Sequence, residues 1–465
     1  MERQFDVVVI GAGPAGEVLA GRVRDRSEKT VAIVERELVG GECSFYACMP
    51  SKSLLRPAEA LHEARRIPGA AEAITGELDV PAVLSRRDEV IHNLDDDSQL
   101  PWLQERGVEL VRGAGRLGGE RRVRVGEDVL VAREAIVVAV GSSALFPPIP
   151  GLAEADAWSN RQITTSRSVP PKLIVLGGGA VGVEMAQAWS SLGSRVTLIE
   201  ALDRLLAKEE PFAGELVADS LREAGAEIHL GVKASSVERD GPKVTVALES
   251  GQAVTGSHLL VAIGRTPRTE GLGLETVGLT GEGYLKVDDQ LQVPGHRWLY
   301  AIGDVNGRSL LTHSGKYQAR VAADVILGES ASALSDRTGA PRVVFTDPQV
   351  AAVGLTLEQA REQGRTAIAI DLDTEGTAGG SFVGRGAEGK TRFVVDESRD
   401  VLLGVTFVGP EVADFLQAAT IATVAEVPVR RLAHAIAPFP TRSELWLQFV
   451  EAYEARRGVS MHGDA

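Results

Sequence analysis

The sequence predicts an α/β chain: two parallel-sheet units of one design, followed by a C-terminal region of different character. Three observations carry this. The apolar run Phe5-Asp6-Val7-Val8-Val9-Ile10 enters Gly11-Ala12-Gly13-Pro14-Ala15-Gly16 without a break. The same order recurs when Leu173-Ile174-Val175-Leu176 enters Gly177-Gly178-Gly179-Ala180-Val181-Gly182. From Pro341 onward the pattern changes to short strands and then helices.

In the first unit a helix is expected through Arg26, then a buried strand Val31–Val34 ending on Glu35. Strand, G-x-G-x-x-G, helix, strand, acid is the order of a Rossmann-like dinucleotide unit. Its glycines allow the tight turn and the approach of a pyrophosphate to a helix N-terminus, and the acid accepts from ribose hydroxyls. In the second unit a helix through Leu192 and the strand Val196–Ile199 lead to Glu200. First glycine and acid are 24 residues apart in one unit and 23 in the other, so two copies imply two dinucleotides.

Between the units, Pro57 to Glu105 is charged and largely helical, and its His62 and His92 read as surface residues. Val108 to Val125 reads as strands and a hairpin with Gly113-Ala114-Gly115 as a turn. Ala135–Val140 is a buried parallel-type strand ending on Gly141, and Pro147-Pro148-Ile149-Pro150-Gly151 marks a domain exit.

One short segment holds the only two cysteines: Gly40-Gly41-Glu42-Cys43-Ser44-Phe45-Tyr46-Ala47-Cys48-Met49-Pro50-Ser51-Lys52. Residues five apart on an ideal helix have Cα atoms roughly 8.7 Å apart, whereas a disulfide needs less than about 7 Å. A bond between Cys43 and Cys48 would therefore require a distorted turn, which suits a working redox couple better than a staple. The alternative is an inert pair of thiols or an incidental disulfide.

Composition bounds the rest. With 465 residues, 24% of them charged and 44% hydrophobic, the chain suffices for two to four domains. A net charge of −15 argues against nucleic acid or an anionic membrane as partner. No apolar run reaches the ~20 residues of a membrane span, and no secretory signal precedes the first strand, so a cytoplasmic protein is expected.

Gly-Gly-x-Cys-x4-Cys-x-Pro-Ser-Lys just after a dinucleotide fingerprint resembles the active-site segment of the pyridine nucleotide-disulfide oxidoreductases, FAD enzymes that include dihydrolipoamide dehydrogenase, glutathione reductase and mercuric reductase. The resemblance runs through nearly the whole chain. It implies an FAD-binding domain over 1–150, an NAD(P)-binding domain over 151–270, a return segment over 271–338 and an α+β dimerisation domain over 339–465, hence a homodimer. It implies FAD contacts from Gly11, Gly13, Gly16, Glu35, Gly41, Lys52, Ala114, Gly141 and Asp304. Contacts with NAD(H), more than NADP(H), are implied for Gly177, Gly179, Gly182, Glu200 and Gly264. Cys48 would be the thiolate that stacks on the flavin, Cys43 the outer thiol, and Lys52 and Glu184 the ion pair beside the ring. Lys52 and a helix N-terminus would lower a thiol's pKa. His313 falls near where the family approaches the flavin. No metal site is implied.

The departure lies near the C-terminus. Dithiol and disulfide reductases of the family carry His-Pro-Thr-x-x-Glu, whose histidine serves the partner's outer thiol. This chain reads Phe439-Pro440-Thr441-Arg442-Ser443-Glu444. Glu444 is kept and the histidine is Phe439, while His434 is out of register. Mercuric reductases also lack that histidine but carry a C-terminal cysteine pair, and no cysteine remains here. The expected function is FAD-dependent oxidation of NAD(P)H through Cys43 and Cys48, with a small-molecule acceptor such as a quinone or metal ion. The alternatives are a dihydrolipoamide dehydrogenase or other disulfide reductase, and a redox-sensing flavoprotein with slow turnover.

Overall fold

The computed structural model describes residues 1–337 and 339–462. The chain divides into two compact units. One comprises residues 1–50, 85–145 and 264–337, and the other 51–84, 146–263 and 338–465.

The first unit is organised by an eight-stranded sheet. Its central strand Glu2–Ile10 runs parallel to Val31–Glu35 on one side and Asp128–Val138 on the other, with Val7 opposite Val31 and Val9 opposite Ile33. Val7 to Ile10 are all buried, as expected where helices or further chain cover both faces of a parallel sheet. Strands Val108–Arg112 and His296–Ala301 extend the sheet in parallel. Helices Pro14–Arg26 and Thr312–Ile326 cover one face, with Leu19, Ala20, Val23, Ala319 and Ala322 in the same core as Val7 and Val9.

The second unit holds a four-stranded parallel sheet in the order Glu227–His229, Arg195–Ile199, Lys172–Leu176, His258–Val261. It also holds a five-stranded antiparallel sheet formed by Arg342–Val344, Gln349–Gly354, Val401–Gly409, Lys390–Asp396 and Ala367–Asp373. Helices Leu416–Val424 and Leu445–Arg457 pack on this second sheet, where the Phe393 and Phe449 rings stack at 4.3 Å.

These units do not follow the spans expected from the sequence. Residues 51–84 join the second unit because Leu54, Leu55 and Val83 pack into the core that also contains Leu173, Trp189 and Val344. Residues 264–270 join the first, since Arg265–Pro267 forms a two-stranded antiparallel pair with Ser142–Ala144.

Candidate active site

The two glycine turns share one design. Gly11 and Gly177 have φ of +106° and +107°, and a Cβ on them would stand 2.4 Å from Ala139 O and 2.5 Å from Ala262 O, so only glycine fits. The residue after each donates its N–H to the acid that ends the next strand: Ala12 N to Glu35 Oε2 at 2.8 Å, and Gly178 N to Glu200 Oε2 at 2.5 Å. The other oxygens accept from Glu37 N at 2.7 Å and Leu202 N at 2.8 Å. Each acid thus ties down its own turn.

Gly13 and Gly179 cap the following helices in extended conformation, and a Cβ on either would meet open space. That leaves a cradle at the N-terminus of a 13-residue helix and at that of a 12-residue one. The donor set fits a dinucleotide pyrophosphate at each.

The cysteine segment is pinned to the first turn. Gly40 N donates to Ala12 O at 2.8 Å, and a Cβ on Gly41 would come 2.9 Å from Gly13 Cα. A short helix Gly41–Phe45 carries Cys43, the chain breaks at Tyr46, and a new helix Cys48–Arg66 opens on Cys48. The cysteines therefore lie on two helices, and no disulfide links them. Cys48 Sγ is 3.5 Å from Thr312 Oγ1. Cys43 departs from the expectation of a lowered thiol pKa. Its thiol is pushed up, first by a hydrogen bond with Cys48 and then by burial and the Cys48 charge, with Thr312 and Lys316 offsetting part of this. Glu42, beside it, is bound by Arg268 at 2.6 Å.

Asp304 lies in the turn Gly303–Asn306. Ser142 Oγ donates to Asp304 Oδ2 at 2.5 Å and accepts from Arg265 Nε at 2.6 Å. The turn is held from below by Gln318, which is fully buried. Its Oε1 accepts from Gly303 N and from Asn306 Nδ2, both at 2.8 Å, and its Nε2 donates to Asp336. Gly141 follows its strand at φ +71°, Gly264 has φ +150°, and Ala114 is exposed between two strands. His313 is exposed.

In the second unit, Lys52 Nζ donates to Glu184 Oε2 at 2.7 Å, and Glu184 Oε1 accepts from Phe345 N at 3.0 Å. Glu184 is buried, and the Lys52 ammonium lies 4.7 Å from the centre of the Phe345 ring. His62, read as a surface residue, has a side chain 45% exposed, but it is not without a partner. Its Nδ1 is 3.2 Å from Asp347 Oδ2, a buried carboxylate that also binds Arg66 at 2.5 Å. The sequence hid this because Asp347 is 285 residues away.

Phe439 is 78% exposed. Glu444 Oε1 accepts from Thr441 N at 3.0 Å, closing a capping box that shapes the Pro440–Glu444 turn. Arg442 binds Glu375 at 2.5 Å, and a Cβ on Gly379 would lie 2.1 Å from Thr441 C, so the loop is fixed from both sides. His434 is exposed and faces His462, with ring centres 5.5 Å apart.

Sequence reasoning missed Thr312, Arg268, Gln318, Phe345 and Lys316. Only Thr312, beside the singled-out His313, gave any local signal.

These two glycine turns, the Gly-Gly-Cys segment and the antiparallel C-terminal sheet define a flavin- and nicotinamide-dependent oxidoreductase. The pyridine nucleotide-disulphide oxidoreductase model matches residues 5–323, and the model of that family's dimerisation domain matches residues 340–449. The chain belongs to the pyridine nucleotide-disulphide oxidoreductases and uses FAD and NAD(P)H. It is 35% identical to a dihydrolipoyl dehydrogenase of Thermus scotoductus, over 99% of both chains. It is 30% identical to a mercuric reductase of Staphylococcus aureus, over 95% of this chain and 81% of that one. Among solved structures it resembles the HOCl-induced flavoprotein disulfide reductase RclA of Escherichia coli in its Cu(II) complex. The TM-score is 0.84 at 25% identity, covering 96% of this chain and 98% of that one. LpdA of Mycobacterium tuberculosis also gives 0.84, at 28% identity, covering 98% and 100%. Among the described residues no helix is long and apolar enough to cross a membrane.

Proposed function

We propose that this is a homodimeric, cytoplasmic enzyme that oxidises NADH in preference to NADPH and delivers the electrons, by way of Cys43 and Cys48, to an acceptor that needs no histidine, a quinone or a metal ion. The observation that carries the proposal is Phe439 in the place of the family's histidine, with Glu444 committed to its own turn. A phenyl ring neither donates nor accepts the proton that thiol-disulfide exchange requires, and it offers an apolar wall to a flat acceptor. The names of the mercuric reductases and of the Cu(II) complex of RclA are consistent with a metal ion in that role.

FAD, once bound, supplies a carrier that takes two electrons from a nicotinamide and hands them on. The chain's own residues do the rest. Gly13 and Gly179 leave room for the pyrophosphates, while Glu35 and Glu200 hold the turns and face the riboses. Asp304 is set by Ser142 and Gln318 to receive the ribityl chain. Glu184 accepts from the Lys52 ammonium and orients it, a cation of the kind that stabilises developing negative charge. The homodimer is supported by the exposed Ile421, Val424, Ile436, Phe439 and Leu447, an apolar set on the dimerisation domain that a second copy would cover. Within the second unit we assign residues 151–263 to the nicotinamide domain and 339–465 to dimerisation.

A second reading, a dihydrolipoyl dehydrogenase, is favoured by the full-length match to the Thermus scotoductus enzyme. A steady-state NADH oxidation screen with lipoamide, glutathione disulfide, a naphthoquinone and Cu(II) separates the two. Faster turnover of quinone or Cu(II) is expected, and lipoamide as the best acceptor would transfer the assignment to the second reading.

A further inference from the structure

The glycine-rich segment 374–383 lies against the loop that carries Phe439, and both belong to the second unit. Arg442 Nη2 donates to Glu375 Oε1 at 2.5 Å, and the two side chains are only 10% and 9% exposed. The guanidinium lies 4.6 Å from the centre of the Phe415 ring. Among the described residues neither Glu375 Oε2 nor Arg442 Nε has a partner, so Oε1 alone joins the pair. Beside it, a Cβ on Gly379 would stand 2.1 Å from Thr441 C and 2.4 Å from Arg442 N, backbone atoms that cannot swing aside. Gly379 has φ −65° and ψ −32°, which any residue adopts, so what the position requires is the close approach of the loop.

From Arg442 the fixation runs back to Phe439. Thr441 N donates to Glu444 Oε1 at 3.0 Å, and Thr441 Oγ1 donates to Pro438 O at 2.6 Å. Phe439 and Pro440 therefore lie inside a turn closed at its ends, with the phenyl ring exposed. On the other side Gln448 Nε2 donates to Gly376 O at 2.8 Å, which ties the segment to the helix Leu445–Arg457. Burial raises the Glu375 carboxyl and lowers the Arg442 guanidinium, each offset in part by the other. Desolvating two ions beneath an exposed loop is an arrangement that stability alone does not call for, since an apolar pair often serves as well.

We infer that Glu375 is a positioning residue for Phe439: through Arg442 and Thr441 it fixes where the phenyl ring stands, and thereby which acceptors the site admits. The inference rests on the proposed reading of Phe439 as the apolar wall of the acceptor site. A flat acceptor gains from such a wall only while the ring keeps one place, because a ring that wanders must be ordered anew by each acceptor that binds.

The test uses the FAD-loaded full chain and two readouts. Stopped-flow reduction of the flavin by NADH reports the steps before the acceptor, and steady-state reduction of menadione, a naphthoquinone, reports KM and kcat. Glu375→Ala should raise the menadione KM about 10-fold, less than the roughly 10²-fold of a full ångström displacement because Thr441 still closes the turn, and should leave flavin reduction by NADH unchanged. Glu375→Gln, which keeps an acceptor for Arg442, should stay nearer the parent. In a Phe439→Ala background Glu375→Ala should add nothing, because the ring it positions is gone. A pair that served stability alone would lower the urea midpoint in both backgrounds and leave KM where it was. The inference is overturned if Glu375→Ala leaves the menadione KM unchanged, or raises it equally with and without the Phe439 ring. Should Glu375→Ala fail to fold, Gly379→Ala decides, since its Cβ pushes the loop without removing a charge: a raised KM that disappears in Phe439→Ala supports the inference, and any other result refutes it. Phe439→Ala by itself separates the two readings. If it leaves the menadione KM unchanged, the acceptor reading of Phe439 has failed and this inference with it, whereas a raised KM there beside an unchanged one in Glu375→Ala is a failure of this inference alone.

Discussion

Under the proposed function, replacing Phe439 by histidine should raise turnover of disulfide acceptors. Phe439 is 78% exposed in the single chain, so the change should alter the stability of that chain by no more than about 0.5 kcal/mol, the usual range for surface positions, and any larger effect should appear in the dimer's association. A positioned acid/base contributes typically 10²- to 10⁴-fold. Here the lower end applies, because Glu444 Oε1 is already engaged by Thr441 N and only Oε2 is left to orient an imidazole. The expected gain in lipoamide turnover is therefore about 10²-fold, or ~2.7 kcal/mol of barrier. The assay is NADH oxidation with lipoamide, with naphthoquinone reduction by the same preparation as internal control. Phe439→His combined with Glu444→Gln should lose most of the gain. Two results would refute the reasoning: native turnover of lipoamide on the order of 10 to 10³ per second, or no gain in a folded Phe439→His protein whose quinone reduction is unimpaired.

Three further outcomes are expected. Glu184→Gln keeps an acceptor for Phe345 N and should cost about 1 kcal/mol, discounted for the partly exposed Lys52. Glu184→Ala leaves that N–H and the ammonium without partners and should cost about 2–4 kcal/mol, so equal urea midpoints for the two variants would contradict the bonds described. Glu200→Gln should narrow the NADH over NADPH ratio of kcat/KM by about tenfold by removing the charge that repels a 2′-phosphate. Arg204→Ala should leave that ratio alone, because the guanidinium rests on Ala207 O at 3.3 Å; a native preference for NADPH would show that Arg204 outweighs Glu200. For Asp347, burial raises the pKa, but the hydrogen bonds from His62 and Arg66 outweigh it and hold the carboxyl below its ordinary range. A depressed acid stabilises the fold above the unfolded value, about 3.9, and that contribution is lost as pH falls through the folded value. Urea midpoints between pH 5 and pH 2 should therefore fall less steeply in Asp347→Asn than in the native protein.

The parts of this protein legible in the sequence are those in which one short segment does the physical work. Gly11 and Gly177 could be read because a backbone at φ near +106° against a carbonyl 2.4–2.5 Å away from any Cβ admits glycine alone, and the spacing to Glu35 and Glu200 is set by one strand, one helix and one more strand. Helix geometry said only that a bond between Cys43 and Cys48 would need a distorted turn; the two cysteines are unbonded and lie on two helices broken at Tyr46. What stayed hidden depends on residues far apart in sequence. Gln318 supports Asp304 through a bond to Gly303, His62 answers to Asp347, Glu184 engages Phe345 N as well as Lys52, and residues 51–84 leave the span they follow because Leu54 and Leu55 pack elsewhere. No periodicity announces such pairings, since a single polar partner adds no repeat to the chain.

The same distinction bears on Phe439. A missing histidine is visible in the motif at once, but its consequence depends on what the remaining groups do in space. Glu444 could have waited for an imidazole; instead its Oε1 closes the Thr441 turn, so the loop keeps its shape without any histidine. Thr312 reaches Cys48 from a helix more than 260 residues away. In this chain the loop is self-sufficient, as the proposed acceptor, one that needs no proton from the partner subunit, would require.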